Sequence, residues 1–300
     1  MNQVEPQENG KAPDPQVISV SRRTDVPAFH VRWFLRRLEE GFAEYRNPFS
    51  GKLHRVSLRP GDVRAFVFWT RNPAPLLPHL DRIGAPCYFL YTVNGYPKGL
   101  ERAVPPLAQA VRTFAKLSER LGPGRVRWRY DPIYLSQETD PAFHRRNFAR
   151  IADALEGLTR ECIASFADMY GKVRRNAAKL PGELRPEEGD FPARKALMDE
   201  LAEMAGERGM RLLACCEDAL VGGPVGKARC VDPELLERIA PSREPLPIRP
   251  TREECGCAAS RDIGAYDTCP HGCLYCYANA SPEAALARYR KIDSALAWLG

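Results

Sequence analysis

The chain has 300 residues, with 44 Lys and Arg against 38 Asp and Glu and a formal charge of +6. Its 44% hydrophobic and 27% charged content is that of a folded chain, not a disordered or fibrous one, and no run of eighteen apolar residues marks a membrane span. The mild positive excess is carried mainly by arginine, which suits an anionic substrate or nucleic acid and equally well a solvated basic surface.

Residues 1–15 are polar and Pro-bearing and predict a disordered tail. They have neither the basic start nor the apolar centre of a signal peptide, so the chain is read as cytoplasmic with no membrane partner. Short β-branched and aromatic runs then recur at 17–21, 65–70, 87–93, 126–130, 161–166 and 210–216, each with the pattern of a buried strand. Helical periodicity lies between them at 29–41, 74–83, 105–121, 141–156 and 191–208.

This α/β alternation predicts parallel strands, and without a GxGxxG turn it favours a TIM-like full or partial (βα)6 barrel over residues 16–240. An open doubly wound parallel sheet is the alternative. A short helix at 233–240 leads to a Pro-rich connector at 241–252, followed by a cysteine-rich iron-sulfur module at 253–300 that a helix at 281–299 closes.

The carboxyl ends of the six strands are polar, where βα loops build active sites. Catalytic candidates there are Arg22, Asp25, Asn72, Arg129 and Asp131; ligand-binding candidates are Arg23, Arg71 and Asn94. Arginine suits carboxylate and phosphate through paired hydrogen bonds. The plainer reading is that Asp25, Asn72 and Asp131 cap turns.

Ten cysteines in a reducing compartment point to metal or free thiols rather than disulfides. In TCPHGCLYCYAN the thiols of Cys269, Cys273 and Cys276 can hold three corners of a 4Fe-4S cluster and leave one iron open. A zinc knuckle, the rival, usually shows two paired motifs. His271 could be a ligand, but inside the loop it reads more simply as a solvated side chain. Cys215, Cys230, Cys255 and Cys257 form a second candidate set, for a second 4Fe-4S cluster with zinc as the alternative. Cys215 is preferred to Cys216 because strand alternation aims only one of two adjacent side chains inward. Cys87 and Cys162 read as core residues.

The CxxxCxxC loop, with Tyr275 before its last cysteine, resembles the radical S-adenosylmethionine (SAM) superfamily, and CPHGCLYCYA is similar to the loop of spore photoproduct lyase-like members. That resemblance implies SAM bound at the open iron, Tyr275 beside adenine and an external one-electron reductant. Over SRRTDVPAF, RNPFSG, VFWTRNPAPLLPHL, NGYP, WRYDPI, Cys215, GKARC, REECGC and DIGAYDTCPHGCLYCYAN, the chain resembles an uncharacterised bacterial family, domain of unknown function eighteen forty-eight. This second resemblance implies an iron-sulfur protein and no named reaction; the likeness to the radical SAM superfamily implies an enzyme that generates a 5'-deoxyadenosyl radical on an unknown substrate. It departs from ordinary radical SAM enzymes in placing the cluster loop after six βα units, and no GGE-like element is evident. A closed-cluster electron carrier or redox sensor, and a nucleic-acid repair or modification factor, are the alternative functions.

Overall fold

The computed structural model describes residues 14–242 and 244–300, so the expected tail at 1–15 lies almost wholly outside the described residues. The chain opens with β1 (Gln16–Val20), α1 (Val26–Phe29), α2 (Val31–Glu40) and the pair β2 (Phe42–Arg46) and β3 (Leu53–Ser57). It continues through β4 (Val63–Thr70), β5 (Cys87–Thr92), α3 (Leu107–Leu121), β6 (Val126–Ile133), α4 (Pro141–Leu155), β7 (Glu161–Phe166) and α5 (Gly171–Ala177). The remaining elements are α6 (Phe191–Gly206), β8 (Arg211–Ala214), β9 (Gly226–Lys227), α7 (Pro233–Ile239), β10 (Arg261–Asp262) and α8 (Pro282–Tyr289).

Eight strands form one sheet in the order β10-β1-β4-β5-β6-β7-β8-β9, and every neighbouring pair is parallel. The six expected strands are its six longest. The central ones are buried on both faces, with all eight residues of β4 and all six of β5 buried, which is why they read as continuous apolar runs. Phe66, Phe68 and Phe89 pack with Phe34 of α2, Phe114 of α3 and Phe148 of α4 on one face; Phe68 stacks on Phe89 with centroids 4.6 Å apart. On the other face Val67, Trp69 and Leu90 meet α7 and the segment through Ala258.

A full barrel is not what forms. Among the described residues the sheet ends at β10 and β9, each only two residues long, and the ladder does not close. The architecture is a mixed α/β fold on an open, eight-stranded parallel sheet. The 253–300 segment contributes β10, which pairs with β1 through Ile18 and Arg261.

Helix starts follow a repeated chemical pattern: Asp25, Asp140, Asp190, Asp232 and Ser281 each accept from a backbone N–H of the first turn, with proline at one of the first two helical positions. Two expected helices come out differently. Residues 74–83 give only a 3-10 turn at Leu77–Arg82, since Pro73, Pro75 and Pro78 remove backbone donors. The helix expected over 281–299 ends at Tyr289. Beyond it Asp293 accepts from the Ala295 N–H at 2.8 Å, and the Leu296 and Ala297 carbonyls accept from Trp33 Nε1 and the Glu44 N–H.

Candidate functional site

Because the strands are parallel, their carboxyl ends share one edge, and the loops after β1, β4, β5 and β6 meet there. Asp25, after β1, is buried and central. Its carboxylate accepts from the Ala28 N–H at 3.0 Å, Thr70 Oγ1 at 2.7 Å and the Arg71 N–H at 2.7 Å. Asp25 therefore caps a helix and also clamps the β4 loop. A fourth partner comes from the cysteine loop: His271 Nε2 lies 2.8 Å from Asp25 Oδ2. His271 is 2% exposed, not solvated, because its ring packs edge-on against Phe29 and its Nδ1 faces the Ala103 carbonyl.

Tyr275 makes the second tie. Its hydroxyl bonds Arg71 Nη2 at 2.8 Å, Asn94 Nδ2 at 3.1 Å and the Glu101 carboxylate. Arg71 also pairs with Glu101 at 2.5 Å, and Asn94 binds both the N–H and the carbonyl of Asp131. Burial opposes the Arg71 charge, yet Tyr275 and Glu101 beside it hold its pKa well above the usual arginine value. In this arrangement the Tyr275 ring packs against Tyr96 and Tyr134, so its observed work is anchoring the loop. A small cavity of about 80 Å³ is lined by Arg71, Asn94 and Glu101.

Other candidates divide between this buried knot and a more open mouth. Asp131 pairs with Arg129 and accepts from Ser165 Oγ at 2.5 Å. Asn72 accepts from the Ala74 N–H at 3.3 Å and so serves its own turn, as the plainer reading held. Arg22 lies over Trp69, bonds Ser260 Oγ at 2.7 Å and accepts on its carbonyl from Tyr277. Tyr277 lies in the fields of Arg129, Cys276 and Arg22, while Arg23 and Lys172 both stand over the Tyr266 ring. The mouth beside Cys276 is thus cationic and aromatic.

Do the three loop thiols fit a cluster? Burial pushes all three up, Cys273 to about 12, so they ionise only against a cation or metal. Each lies in the field of at least one of the other two, yet they make no hydrogen bonds to one another, as three corners of a cubane require. The Ala278 N–H donates to Cys276 Sγ at 3.3 Å, Arg71 and Lys172 are nearby positive charges, and Asn279 Oδ1 is buried without a partner. The donor set fits.

The second set is closer-knit. Cys215 Sγ lies 3.7 Å from Cys230 Sγ and 3.8 Å from Cys216 Sγ; the Cys257 thiol lies next to those of Cys230 and Cys255, and that of Cys255 next to Cys216. Cys216 thus joins the cluster, contrary to the alternation argument. The strand β8 stops at Ala214, and Cys216 takes a φ of 56°, which turns both adjacent thiols to the same side. Cys87 and Cys162 are buried in the core. Among the described residues no group of three or more His, Cys, Asp or Glu side chains is already arranged around a single metal position.

Glu101, His271, Tyr277 and Cys216 were not singled out from sequence as site residues. For His271 and Tyr277 the signal was available, since both lie within or beside the motif itself; Glu101 in KGLER carries none.

Residues 17–278 match the family model described as Domain of unknown function (DUF1848). The chain belongs to that family. The DUF1848 match runs from β1 through both cysteine sets. No curated protein matches. Two solved structures show weak likeness. A putative alpha-L-fucosidase from Bacteroides thetaiotaomicron is 11% identical, with 77% of this chain and 84% of that one covered and a TM-score of 0.27. An O-GlcNAc hydrolase mutant from Thermobaculum terrenum is 14% identical, covering 75% and 54%, also at 0.27. Scores this low carry no argument. Among the described residues no helix is long and apolar enough to cross a membrane.

Proposed function

We propose that this DUF1848 protein is an iron-sulfur enzyme of the radical SAM type. One observation carries the reading: the loop of Cys269, Cys273 and Cys276 is seated on the carboxyl-end edge of a parallel sheet, tied there by Asp25 to His271 and by Arg71, Asn94 and Glu101 to Tyr275. A 4Fe-4S cluster on three thiolates would supply an open iron for the amino and carboxylate groups of SAM and, once reduced by an external one-electron donor, cleavage of a carbon-sulfur bond.

The chain's own residues have separable tasks. Asp25, Arg71 and Tyr275 hold the loop in one conformation, since Asp25 and Tyr275 are buried, Arg71 is half-buried and each is multiply bonded. Arg22, Arg23, Arg129 and Lys172 around Tyr266 and Tyr277 give the mouth a positive, stacking surface that suits an anionic small molecule or the carboxylate of SAM. If the anion is a nucleic acid, binding falls steeply with salt.

Anaerobically reconstituted protein given dithionite and SAM is expected to release 5'-deoxyadenosine. No release with chemical and protein reductants, together with an EPR spectrum of the reduced protein that SAM leaves unchanged, would identify a closed-cluster electron carrier or sensor instead.

A further inference from the structure

We infer that the second cysteine set is a structural zinc site, with Cys215, Cys230, Cys255 and Cys257 as ligands and Cys216 bonded beside them. The inference is independent of the radical SAM reading. It concerns the opposite face of the sheet from the large helices, where these thiols sit among Val67, Leu213, Ala228 and Leu236.

Sulfur spacing separates zinc from a cluster. Four thiolates about 2.3 Å from one zinc ion stand roughly 3.8 Å apart, the edge of the tetrahedron. Cys215 Sγ lies 3.7 Å from Cys230 Sγ, and the Cys257 thiol lies next to those of Cys230 and Cys255. A cubane instead sets its cysteine sulfurs on outer corners, well beyond contact. Direct sulfur contact therefore fits one ion. The four thiols are gathered but do not yet surround one point, so binding takes side-chain rotation within the set.

The surroundings match a doubly negative tetrathiolate centre. Arg129 and Arg127 are positive charges near Cys230, and Arg252 lies beside Cys216 and donates from Nη2 to the Cys215 carbonyl at 3.3 Å. The Val231 N–H points to Cys257 Sγ at 3.4 Å, and Thr251 Oγ1 lies 3.6 Å from Cys255 Sγ. Donors aimed at sulfur orient and stabilise metal-bound thiolates.

The backbone also brings the ligands from three separate places. Cys215 follows β8; Cys230 is fixed by Tyr88, whose hydroxyl donates to its carbonyl at 2.6 Å; Cys255 and Cys257 are held by Arg249 N–H to the Cys257 carbonyl and Ala258 N–H to the Val231 carbonyl, both at 2.9 Å. Zinc would cross-link β8, the β9 loop and the 246–258 segment.

The test is metal analysis of a Cys269→Ala, Cys273→Ala, Cys276→Ala variant after chelator washing. About one zinc per chain with no iron is expected, and cobalt exchange should give the intense visible bands of a tetrahedral tetrathiolate site. Iron and sulfide in that variant would overturn zinc in favour of a second cluster, and a metal-free variant with five freely titrating thiols would overturn the site altogether. Should the variant not fold, zinc-edge X-ray absorption on the unaltered protein reads the same question: four sulfurs at about 2.3 Å support the site, and nitrogen or oxygen neighbours, or no zinc, contradict it. Cys216→Ser should keep the zinc and Cys257→Ser lose it; the reverse pattern would refute the ligand assignment.

Discussion

Asp25 and His271 are 246 positions apart in sequence, and their side chains meet at 2.8 Å in the interior of the protein. That contact joins the first strand's loop to the cysteine loop, and it makes Asp25 a shared acceptor for Ala28, Thr70, Arg71 and His271. Replacing Asp25 by Ala leaves these donors unpaired and is expected to lower stability by about 2–4 kcal/mol. Urea unfolding of metal-free protein measures it, and amide exchange across 269–276 should accelerate in the same variant. A loss below about half a kcal/mol would show that the loop is held by something else.

Tyr275→Phe keeps the ring between Tyr96 and Tyr134 and removes only the hydroxyl that Arg71, Asn94 and Glu101 share. A cost of about 1–3 kcal/mol is expected, with iron content unchanged because no thiol is touched. Wild-type stability in this variant would remove the network from the account.

At the seam between β10 and the loop after β1, a Cβ on Gly264 would collide with Ser21 Oγ and lie 2.5 Å from Ser21 Cβ. Ser21 in turn donates to Asp262 at 2.7 Å, so it cannot simply swing away. Gly264→Ala should therefore cost about 1–3 kcal/mol through overpacking, visible as a lower Tm. An unchanged Tm would mean that this seam is looser than the contacts imply.

His144 supplies a pH dependence. Burial lowers its pKa to about 4 from 6.5, and one neutral tautomer serves both partners, with Nδ1 accepting from Tyr130 and Nε2 donating to the Tyr134 carbonyl. The unfolded chain takes up the proton first as pH falls. Stability from this residue is therefore full above about pH 6.5, declines toward pH 4 and totals about 3 kcal/mol. His144→Gln should shrink the stability difference between pH 7 and pH 4.5 by about 2 kcal/mol, read from urea midpoints. Equal pH dependence in variant and wild type would rule out His144 as the titrating group.

The long strands were legible because buried parallel strands are nearly all apolar: AFVFWT and CYFLYT can hardly be anything else. The β2–β3 pair was not, since FAEYR and LHRVS are largely polar and its pairing depends on a turn rather than on burial. Barrel closure could not be read either, because it depends on two-residue edge strands that have no pattern of their own. In the site, the CxxxCxxC spacing was visible in the sequence itself. What the spacing could not show was which partners hold it: Glu101 carries no local signal, and the burial of His271 follows from Phe29 and Asp25, remote in sequence. Cys216 was passed over because the strand was taken to continue through it, whereas β8 ends two residues earlier.

The central claim is that Cys269, Cys273 and Cys276 together hold one cubane. Iron and acid-labile sulfide counted in parallel on the anaerobic wild-type protein and on the variant lacking those three thiols address it directly. The account predicts roughly four irons and four sulfides lost on removing the trio. Equal iron in the two proteins, or none in the wild type, would contradict it.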